Sequence, residues 1–370
     1  MKHLKPGRDE PEPVVLRYLF GMQRLHGVKQ TLTHLGLPVA VAGGLVAAAC
    51  GGGSTNNGPS DPSVPTYSVA VTVFYDQNSN GQLDAGENTR VPGVQVAIGT
   101  GSATSASGTG VASVTGIQEG ALSVGVRTES LPAYYQAPPP APIQVPGTTE
   151  AKIALTLPIG DNHPNRYLGV GDSITAGDGS SDGQGYRVRL ENLLGPYFAR
   201  AEVQTRGREG DSSAETAEVM RRTLREHDPA YTLVLLGTND WHDQTCQQQG
   251  PAECFTIESL REIVDDIKAW RSLPVLATIT PVNPQYSTPA RDTFYNQTNV
   301  LIKALAREEN VVLADLDAEF KAASSLSALF DDDVHPNDAG YQVLAQGWFK
   351  AITRARSAAA SSSPRLGFRF

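Results

Sequence analysis

A serine, an asparagine and an acidic segment with one histidine carry the residue types that nucleophilic catalysis needs. Ser173 follows the apolar run 167–171, which predicts a buried parallel strand. The carboxyl ends of strands in open α/β sheets are where ligands bind. A serine hydroxyl at such an end can attack a substrate if a base and oxyanion donors arrive from other segments. Taken alone, Gly171-Asp172-Ser173 is more typical of a capped strand-to-helix turn.

Two histidines are candidates for the base. His335 lies in the acidic segment 331–337, and an aspartate three residues earlier lets one turn carry both side chains. A carboxylate in that position would fix the imidazole tautomer. His242 is the rival, because it comes shortly after the polar end of a predicted strand. An acidic run with one histidine is as often a solvated loop, and Asp331 and Asp333 flank Asp332 on either side.

The oxyanion donors are expected from three segments. The first is the backbone N–H of Ser173. The second is a glycine in the segment 207–212, where the spacing leaves both Gly207 and Gly210 open. The third is the side-chain amide of Asn239, which ends a strongly apolar strand where a merely structural asparagine would gain little. Backbone and amide N–H groups are the usual donors to a tetrahedral oxyanion.

Four segments resemble, in chain order, the four blocks of the SGNH (GDSL-type) hydrolase family over about residues 165–355: the segment around Ser173, the segment 207–212, the strand end at Asn239 and the segment 331–337. Each block is weak alone, whereas the combination is specific. The resemblance implies a flavodoxin-like three-layer α/β/α fold with a parallel sheet. It also implies an esterase or lipase that hydrolyses carboxylic esters through an acyl-enzyme and needs no cofactor for the chemistry. The implied residues are Ser173 as nucleophile, His335 as base, Asp332 as its partner, and Ser173, Gly210 and Asn239 as oxyanion donors.

Two features depart from related patterns. Thr205 stands where many family members have asparagine ahead of the second block. Thr175 occupies the second position after Ser173, so the segment does not match Gly-x-Ser-x-Gly and an α/β-hydrolase nucleophile elbow is disfavoured. Strands and helices alternate through residues 165–356, which predicts a parallel sheet covered on both faces.

Residues 66–158 have a different composition. Alternating apolar residues in short runs, joined by Gly, Ser and Thr, predict a small all-β sandwich domain. The Pro-rich stretch 137–142 is expected to be a stiff excursion between strands.

Within this domain, residues 76–87 match a calcium loop, with glycine at position 6 and oxygen-bearing side chains at the ligand positions. A solvated Asx-rich turn is the alternative. The strand–loop–strand arrangement resembles the B-type repeats of bacterial surface adhesins, which implies structural calcium in a spacer or adhesive module. The predicted ligands are Asp76, Asn78, Asn80, Gln82, Asp84 and Glu87.

The N-terminal 50 residues indicate export. An apolar core at 35–49 follows Arg24 and Lys29 and ends in small residues before Cys50, which is typical of a signal peptide. The segment resembles a bacterial lipobox, and this resemblance implies lipid attachment at Cys50, a flexible tether at 51–65 and a membrane-anchored location, periplasmic or at the cell surface. An ordinary signal peptide is the alternative, with secretion as the outcome. Met22 is the expected start of the export signal.

The net charge argues against one class of partner. A formal net charge of -9 argues against a nucleic-acid partner, because phosphate binding needs a basic face. An oxidising compartment would let Cys246 and Cys254 form a disulfide. The tail 357–370 is Ala/Ser-rich and is expected to be disordered. A carbohydrate O-acetyl esterase is the alternative within enzymes, and a surface-binding protein with an inert hydrolase domain is the alternative from another class.

Overall fold

The structure is a computed structural model that describes residues 64–355. The predictions for the signal sequence 1–50, lipid attachment at Cys50, the tether up to residue 63 and the tail 357–370 lie outside the described residues. The described residues belong to one compact unit.

Seven strands form two sheets in the first part of the described chain. In the first sheet the central strand β1 pairs antiparallel with β4 and parallel with β7. The second sheet is antiparallel throughout, in the order β3-β2-β5-β6. The strands are β1 (Tyr67–Tyr75), β2 (Gln95–Ile98), β3 (Gly101–Thr104), β4 (Val111–Ile117), β5 (Gly120–Val126), β6 (Ala141–Val145) and β7 (Glu150–Leu155).

The Pro-rich stretch 137–142, predicted as an irregular excursion between strands, is irregular only in its first four residues. Its last two residues, Ala141 and Pro142, begin β6, and Pro142 pairs with Ser123 of β5. Because β6 is an edge strand, proline is tolerated there, since its missing N–H need not serve a second neighbour. The prediction of an excursion through residue 142 is therefore wrong at its C-terminal end.

A five-stranded parallel sheet forms the second part. Its order, β12-β11-β10-β8-β9, is the flavodoxin-like order in which the chain reverses direction beside the first strand. All four neighbouring pairs are parallel, so the prediction of a parallel α/β sheet is confirmed. The strands are β8 (His163–Gly171), β9 (Glu202–Gly207), β10 (Pro229–Leu235), β11 (Leu273–Ala277) and β12 (Val312–Ala314).

Helices cover both faces of this sheet. Along β10, Leu233 and Leu235 point into one apolar core and Val234 points into the other. The first core includes residues of α2, α7 and α8, and the second includes residues of α3, α5 and α6. The helices are α1 (Ser173–Ala176), α2 (Arg187–Phe198), α3 (Ser213–His227), α4 (Gln244–Gln249), α5 (Thr256–Ala269), α6 (Pro289–Glu308), α7 (Leu316–Lys321) and α8 (Asp338–Thr353).

Buried contacts join the two parts. The Tyr134 hydroxyl donates to the carbonyl of Pro274 in β11 at 2.6 Å and accepts from the N–H of Val312 in β12 at 3.1 Å. The N–H of Arg90 donates to the carbonyl of Phe198 at the end of α2. One continuous apolar core includes residues from β1, β2 and β4 together with residues of the parallel sheet. The domain boundaries 66–158 and 165–356 stay predictions. No helix among the described residues has the length and apolarity to span a bilayer.

Candidate active site

Ser173 begins a single helical turn directly after β8. Asp172 caps this turn, because its Oδ1 accepts from the N–H of Ile174 at 3.0 Å, as N-cap carboxylates do. Gly177 ends the turn in the left-handed region at φ 112°. The turn places Ser173 at the carboxyl edge of the sheet, with 8% of the residue exposed.

His335 and its preceding aspartate occupy one tight turn. Asp332 Oδ1 accepts from the N–H groups of Val334 and His335 at 2.9 and 2.8 Å, which is the local side-chain-to-backbone bonding that favours Asp in turns. The N–H of Asp331 donates to the carbonyl of His335 at 2.9 Å. Sequence spacing therefore suffices to place the carboxylate beside the imidazole.

The structure brings Ser173, His335 and Asp332 into one hydrogen-bonded chain. His335 Nε2 lies 2.8 Å from Ser173 Oγ, and His335 Nδ1 lies 2.6 Å from Asp332 Oδ2. With Nδ1–H donating to the carboxylate, Nε2 is the acceptor for the serine proton. Burial acts to raise the pKa of Asp332, but hydrogen bonds from His335 and Val334 outweigh it and hold that pKa below its ordinary value. His242, by contrast, is exposed.

The loop after Ser173 packs onto this turn from one side. Gly179 has φ +85°, and a Cβ added there would lie 2.6 Å from the carbonyl oxygen of Pro336 and 3.2 Å from the Cβ of His335. A non-glycine side chain at this position would therefore push against the backbone that carries the histidine. Glycine here allows the two segments of the site to touch.

The predicted oxyanion donors lie on neighbouring loops. Asn239 opens the short 3-10 turn after β10, and its Nδ2 donates to the carbonyl of Asp211 at 3.0 Å. Gly210, just before Asp211, is exposed at φ +75° with no atom within 4 Å of an added Cβ. Gly207 differs, because an added Cβ would lie 2.1 Å from the N atom of Ala176 in α1. Close packing against the serine turn accounts for Gly207, and the donor roles of Ser173, Gly210 and Asn239 stay predictions.

Two buried carboxylates beneath the site were missed by sequence reasoning. Asp240 is fully hydrogen-bonded: its Oδ1 accepts from the N–H of Ser213 at 2.9 Å, and its Oδ2 accepts from the hydroxyls of Ser213 and Thr256 at 2.7 and 2.5 Å. Asp172 Oδ2 has no hydrogen-bond partner among the described residues. Burial raises the pKa of Asp172 to about 7. The available signal was position, since both acids follow the carboxyl ends of neighbouring strands.

The disulfide between Cys246 and Cys254 is present. It joins α4 to the segment before α5, and both cysteines are buried.

The loop 76–87 closes on itself. Asn78 and Asn80 donate through their side-chain amides to Asp84 Oδ2 at 2.9 and 2.7 Å, and these bonds lower the pKa of Asp84. Asp76 accepts from the N–H groups of Asn80 and Gly81 at 3.3 and 2.7 Å. Glu87 folds back to accept from the N–H groups of Gln77 and Asp84.

This donor set fits calcium in its chemistry. The loop gathers hard side-chain oxygens, which calcium prefers, and its first and last carboxylates, Asp76 and Glu87, are only 2% and 5% exposed. Buried negative charge calls for compensation. Within residues 64–355, however, no group of three or more His, Cys, Asp and Glu side chains is arranged to hold a metal ion, so the site would depend on amide and backbone oxygens as well. The hydrogen bonds are equally those of a metal-free Asx-rich turn.

The second part of the chain is similar to known proteins of the GDSL type. The model of the GDSL-like Lipase/Acylhydrolase family matches residues 170–343. The "Thioesterase 1/protease 1/lysophospholipase L1" of Escherichia coli strain K12 is 28% identical over 169 residues, which are 45% of this chain and 74% of that protein. The "Acetylxylan esterase" of Geobacillus stearothermophilus is 24% identical over 205 residues, which are 50% of this chain and 93% of that protein.

Solved structures are also similar to about half of the chain. A member of the lipolytic protein G-D-S-L family from Veillonella parvula is 20% identical, with 51% of this chain and 98% of that chain covered at a TM-score of 0.43.

Proposed function

We propose that the part of the chain matching the GDSL-type family is a serine esterase that hydrolyses carboxylic esters. The observation that carries this proposal is the chain of two short hydrogen bonds from Ser173 through His335 to Asp332. It joins a nucleophile, a base and an orienting carboxylate in the order that acyl transfer needs. Relatives with esterase and thioesterase names agree with this reaction class.

In the proposed mechanism, His335 Nε2 takes the hydroxyl proton as Ser173 Oγ forms a bond to the carbonyl carbon of the ester. Asp332 accepts the Nδ1–H hydrogen bond and stabilises the imidazolium that results. The imidazolium then gives its proton to the alcohol oxygen as the C–O bond breaks, which leaves an acyl group on Ser173. A water molecule, deprotonated by the same nitrogen, then attacks the acyl carbonyl carbon. The imidazolium returns this proton to Ser173 Oγ as the bond from that oxygen to the acyl carbon breaks, and the carboxylic acid leaves.

The tetrahedral oxyanion would be bound by the N–H groups of Ser173 and Gly210 and by the side chain of Asn239. Asn239 Nδ2 donates to the carbonyl of Asp211 at 3.0 Å, so it has one further proton available for a substrate oxygen. The backbone N–H of Ser173 belongs to the same residue as the nucleophile, which keeps this donor close to the reacting carbon. Loss of one such donor typically costs about 10²- to 10³-fold in kcat.

A carbohydrate O-acetyl esterase is the second candidate, and the specific observation in its favour is the similarity to an acetylxylan esterase. The two candidates share the chemistry of Ser173 and differ in the ester they accept: the O-acetyl esterase takes an acetyl group on a sugar alcohol. A panel of a short-chain ester, a long-chain ester and an acetylated sugar separates them.

The test compares the wild-type chain with Ser173→Ala and with Ser123→Ala, an exposed serine of β5. Ser173→Ala should lower kcat by several orders of magnitude without altering the melting temperature, and Ser123→Ala should leave both unchanged. Turnover of one ester that persists in Ser173→Ala would contradict the proposal. No turnover of any ester would favour the surface-binding alternative.

Two further proposals concern the rest of the chain. We propose that the loop 76–87 binds calcium through Asp76, Asn78, Asn80, Gln82, Asp84 and Glu87, as a structural ion that takes no part in the chemistry.

We also propose that the chain is exported and held to a membrane through acylated Cys50. Cys50→Ser should move the protein from the membrane fraction to the soluble fraction, and unchanged fractionation would contradict the anchor.

A further inference from the structure

The turn that carries His335 is held from outside by Asn283, in the loop after β11. The backbone N–H of Asn283 donates to the carbonyl of Asp333 at 2.8 Å, and its Nδ2 donates to the carbonyl of Asp332 at 2.7 Å. Asn283 is itself fixed, because its Oδ1 accepts from the N–H of Gln285 at 3.2 Å and the residue is only 3% exposed. Two consecutive carbonyls of the turn are thereby bound to the loop that follows β11.

Arg291, in the first turns of α6, binds the side chain of the same turn. Its Nη1 donates to Asp333 Oδ2 at 2.7 Å, and its side chain is 11% exposed. One helical turn later, Tyr295 lies under the guanidinium, with the carbon of that group 5.6 Å from the ring centroid. The Tyr295 hydroxyl donates to the carbonyl of Thr238 at 3.0 Å, and Thr238 immediately precedes Asn239.

These contacts connect both halves of the proposed site to one helix. We propose that Arg291, supported by Asn283 and Tyr295, is a positioning residue that fixes the Asp332–His335 turn relative to the Asn239 loop. The inference rests on the proposed function. Without the contacts of Arg291 and Asn283, the turn has bonds mainly to its own neighbouring residues. A displacement of the catalytic groups by about 1 Å can cost about 10²-fold in rate.

An ordinary surface ion pair is the competing explanation for the Arg291–Asp333 contact, since exposed pairs contribute little. The burial of Arg291 distinguishes it from such pairs. Arg261 of α5 provides the comparison, because its guanidinium pairs with Glu308 and Glu309 near the end of α6 while its side chain is 40% exposed. Arg261→Met removes an arginine that binds the same helix at its opposite end.

The experiment measures kcat and KM of the full chain on an ester whose hydrolysis depends on Ser173. Arg291→Met should lower kcat by about 10- to 100-fold with KM changed less than about threefold, because the base moves while the binding surface remains. Arg291→Lys should recover most of kcat, since an ammonium can still reach Asp333, and Arg261→Met should match the wild type. Asp333→Ala, at a side chain that is 39% exposed, tests the same pair from its solvent side in case Arg291→Met fails to fold.

A second readout needs no substrate and separates this inference from the proposed function. The proton between His335 Nδ1 and Asp332 Oδ2 is expected at low field in the proton NMR spectrum. Arg291→Met or Asp333→Ala should shift or broaden it, whereas Arg291→Lys and Arg261→Met should preserve it. An unchanged resonance together with kcat within twofold of wild type in both Arg291→Met and Asp333→Ala would overturn the positioning role, whether or not Ser173 proves to be the nucleophile.

Discussion

Two acidic segments of this chain, 76–87 and 331–337, contain similar residue types. The side chains of the first bond within their own segment, whereas the histidine of the second bonds to a distant residue. Asp84, in the first, accepts from Asn78 and Asn80, four to six residues away. His335, in the second, reaches Ser173 across 162 residues. A segment that satisfies its own polar groups forms a local structure or an ion site, whereas one whose imidazole is committed to a distant serine can do chemistry. Similar residue types therefore acquire different hydrogen-bond partners according to the fold around them.

The largest effect should come from breaking the long-range connection at the histidine. His335→Ala should lower kcat by at least about 10³-fold, because neither a base for Ser173 nor an acid for the leaving group would remain. Steady-state kinetics on the ester found above measures this.

The neighbouring aspartates sharpen the same comparison. Asp332→Asn should also lower kcat strongly, since an amide cannot stabilise the imidazolium. Asp331→Asn should stay within about twofold of wild type, because its exposed side chain is absent from the chain of bonds. Equal effects at 331 and 332 would mean that general acidity of the segment, rather than the Asp332–His335 bond, matters.

Gly179→Ala should displace the histidine turn from the serine side. Alanine at φ +85° costs about 1–2 kcal/mol, and its Cβ would press on the carbonyl of Pro336. Gly183→Ala is the matched control, because φ is +62° there and no atom lies within 4 Å of an added Cβ.

Both glycine variants should lose stability from backbone strain, as measured by urea unfolding, with a larger loss in Gly179→Ala because of the close contact with Pro336. Only Gly179→Ala should also lose about tenfold or more in kcat. Full activity in Gly179→Ala would show that the loop yields without moving His335.

Asp172 offers a test through pH. Burial raises its pKa to about 7 from the ordinary value of 3.8, so its contribution to stability is fully present below about pH 3.8 and is lost as pH rises through about 7. Asp172→Asn removes this titration. The difference in unfolding free energy, variant minus wild type, should grow by up to about 1.4 kcal/mol per pH unit between these values. Urea unfolding at pH 5 and pH 8 measures it, and a difference that does not change with pH would contradict the raised pKa.

The smallest effects are expected in the self-contained segment. Calcium should raise the melting temperature of the wild type by a few degrees over chelator, since an ion that binds only the folded state stabilises it. Glu87→Ala should remove this response, while Glu119→Ala, at an exposed site between β4 and β5, should keep it. Ester hydrolysis should be the same in calcium and in chelator. Identical melting of the wild type under both conditions would leave the segment as a metal-free turn.

Much of the second part, with its parallel sheet, could be predicted from sequence, because long periodic helices and apolar strands are indicated by residues close together in the chain. The apolar run 167–171, predicted as a buried strand, lies within β8, and the predicted alternation of strands and helices through 165–356 agrees with the order of β8–β12 and α2–α8. Strands β3 and β4 give little local signal, since their Gly, Ser and Thr residues carry little alternation. Strand β6 was missed because its proline suggested an irregular segment.

The supporting residues of the site could not be predicted in the same way. Asp332 and His335 lie three residues apart, so their pairing is visible in the sequence. Asn283 and Arg291 reach the turn across 49 and 42 residues, and nothing local to either residue indicates this contact. Tyr134 likewise joins the two parts through bonds to strands 140 and 178 residues away. Such contacts depend on the assembled sheet rather than on spacing.

The most direct test of the central claim is to treat the full chain with a fluorophosphonate and locate the adduct by mass spectrometry. This reagent phosphonylates a serine only where a base and oxyanion donors activate it, so no substrate need be known. One adduct per chain, on Ser173 and absent from His335→Ala, is the predicted result. An adduct on another serine, or none on the folded protein, would contradict the assignment of Ser173 as the activated nucleophile.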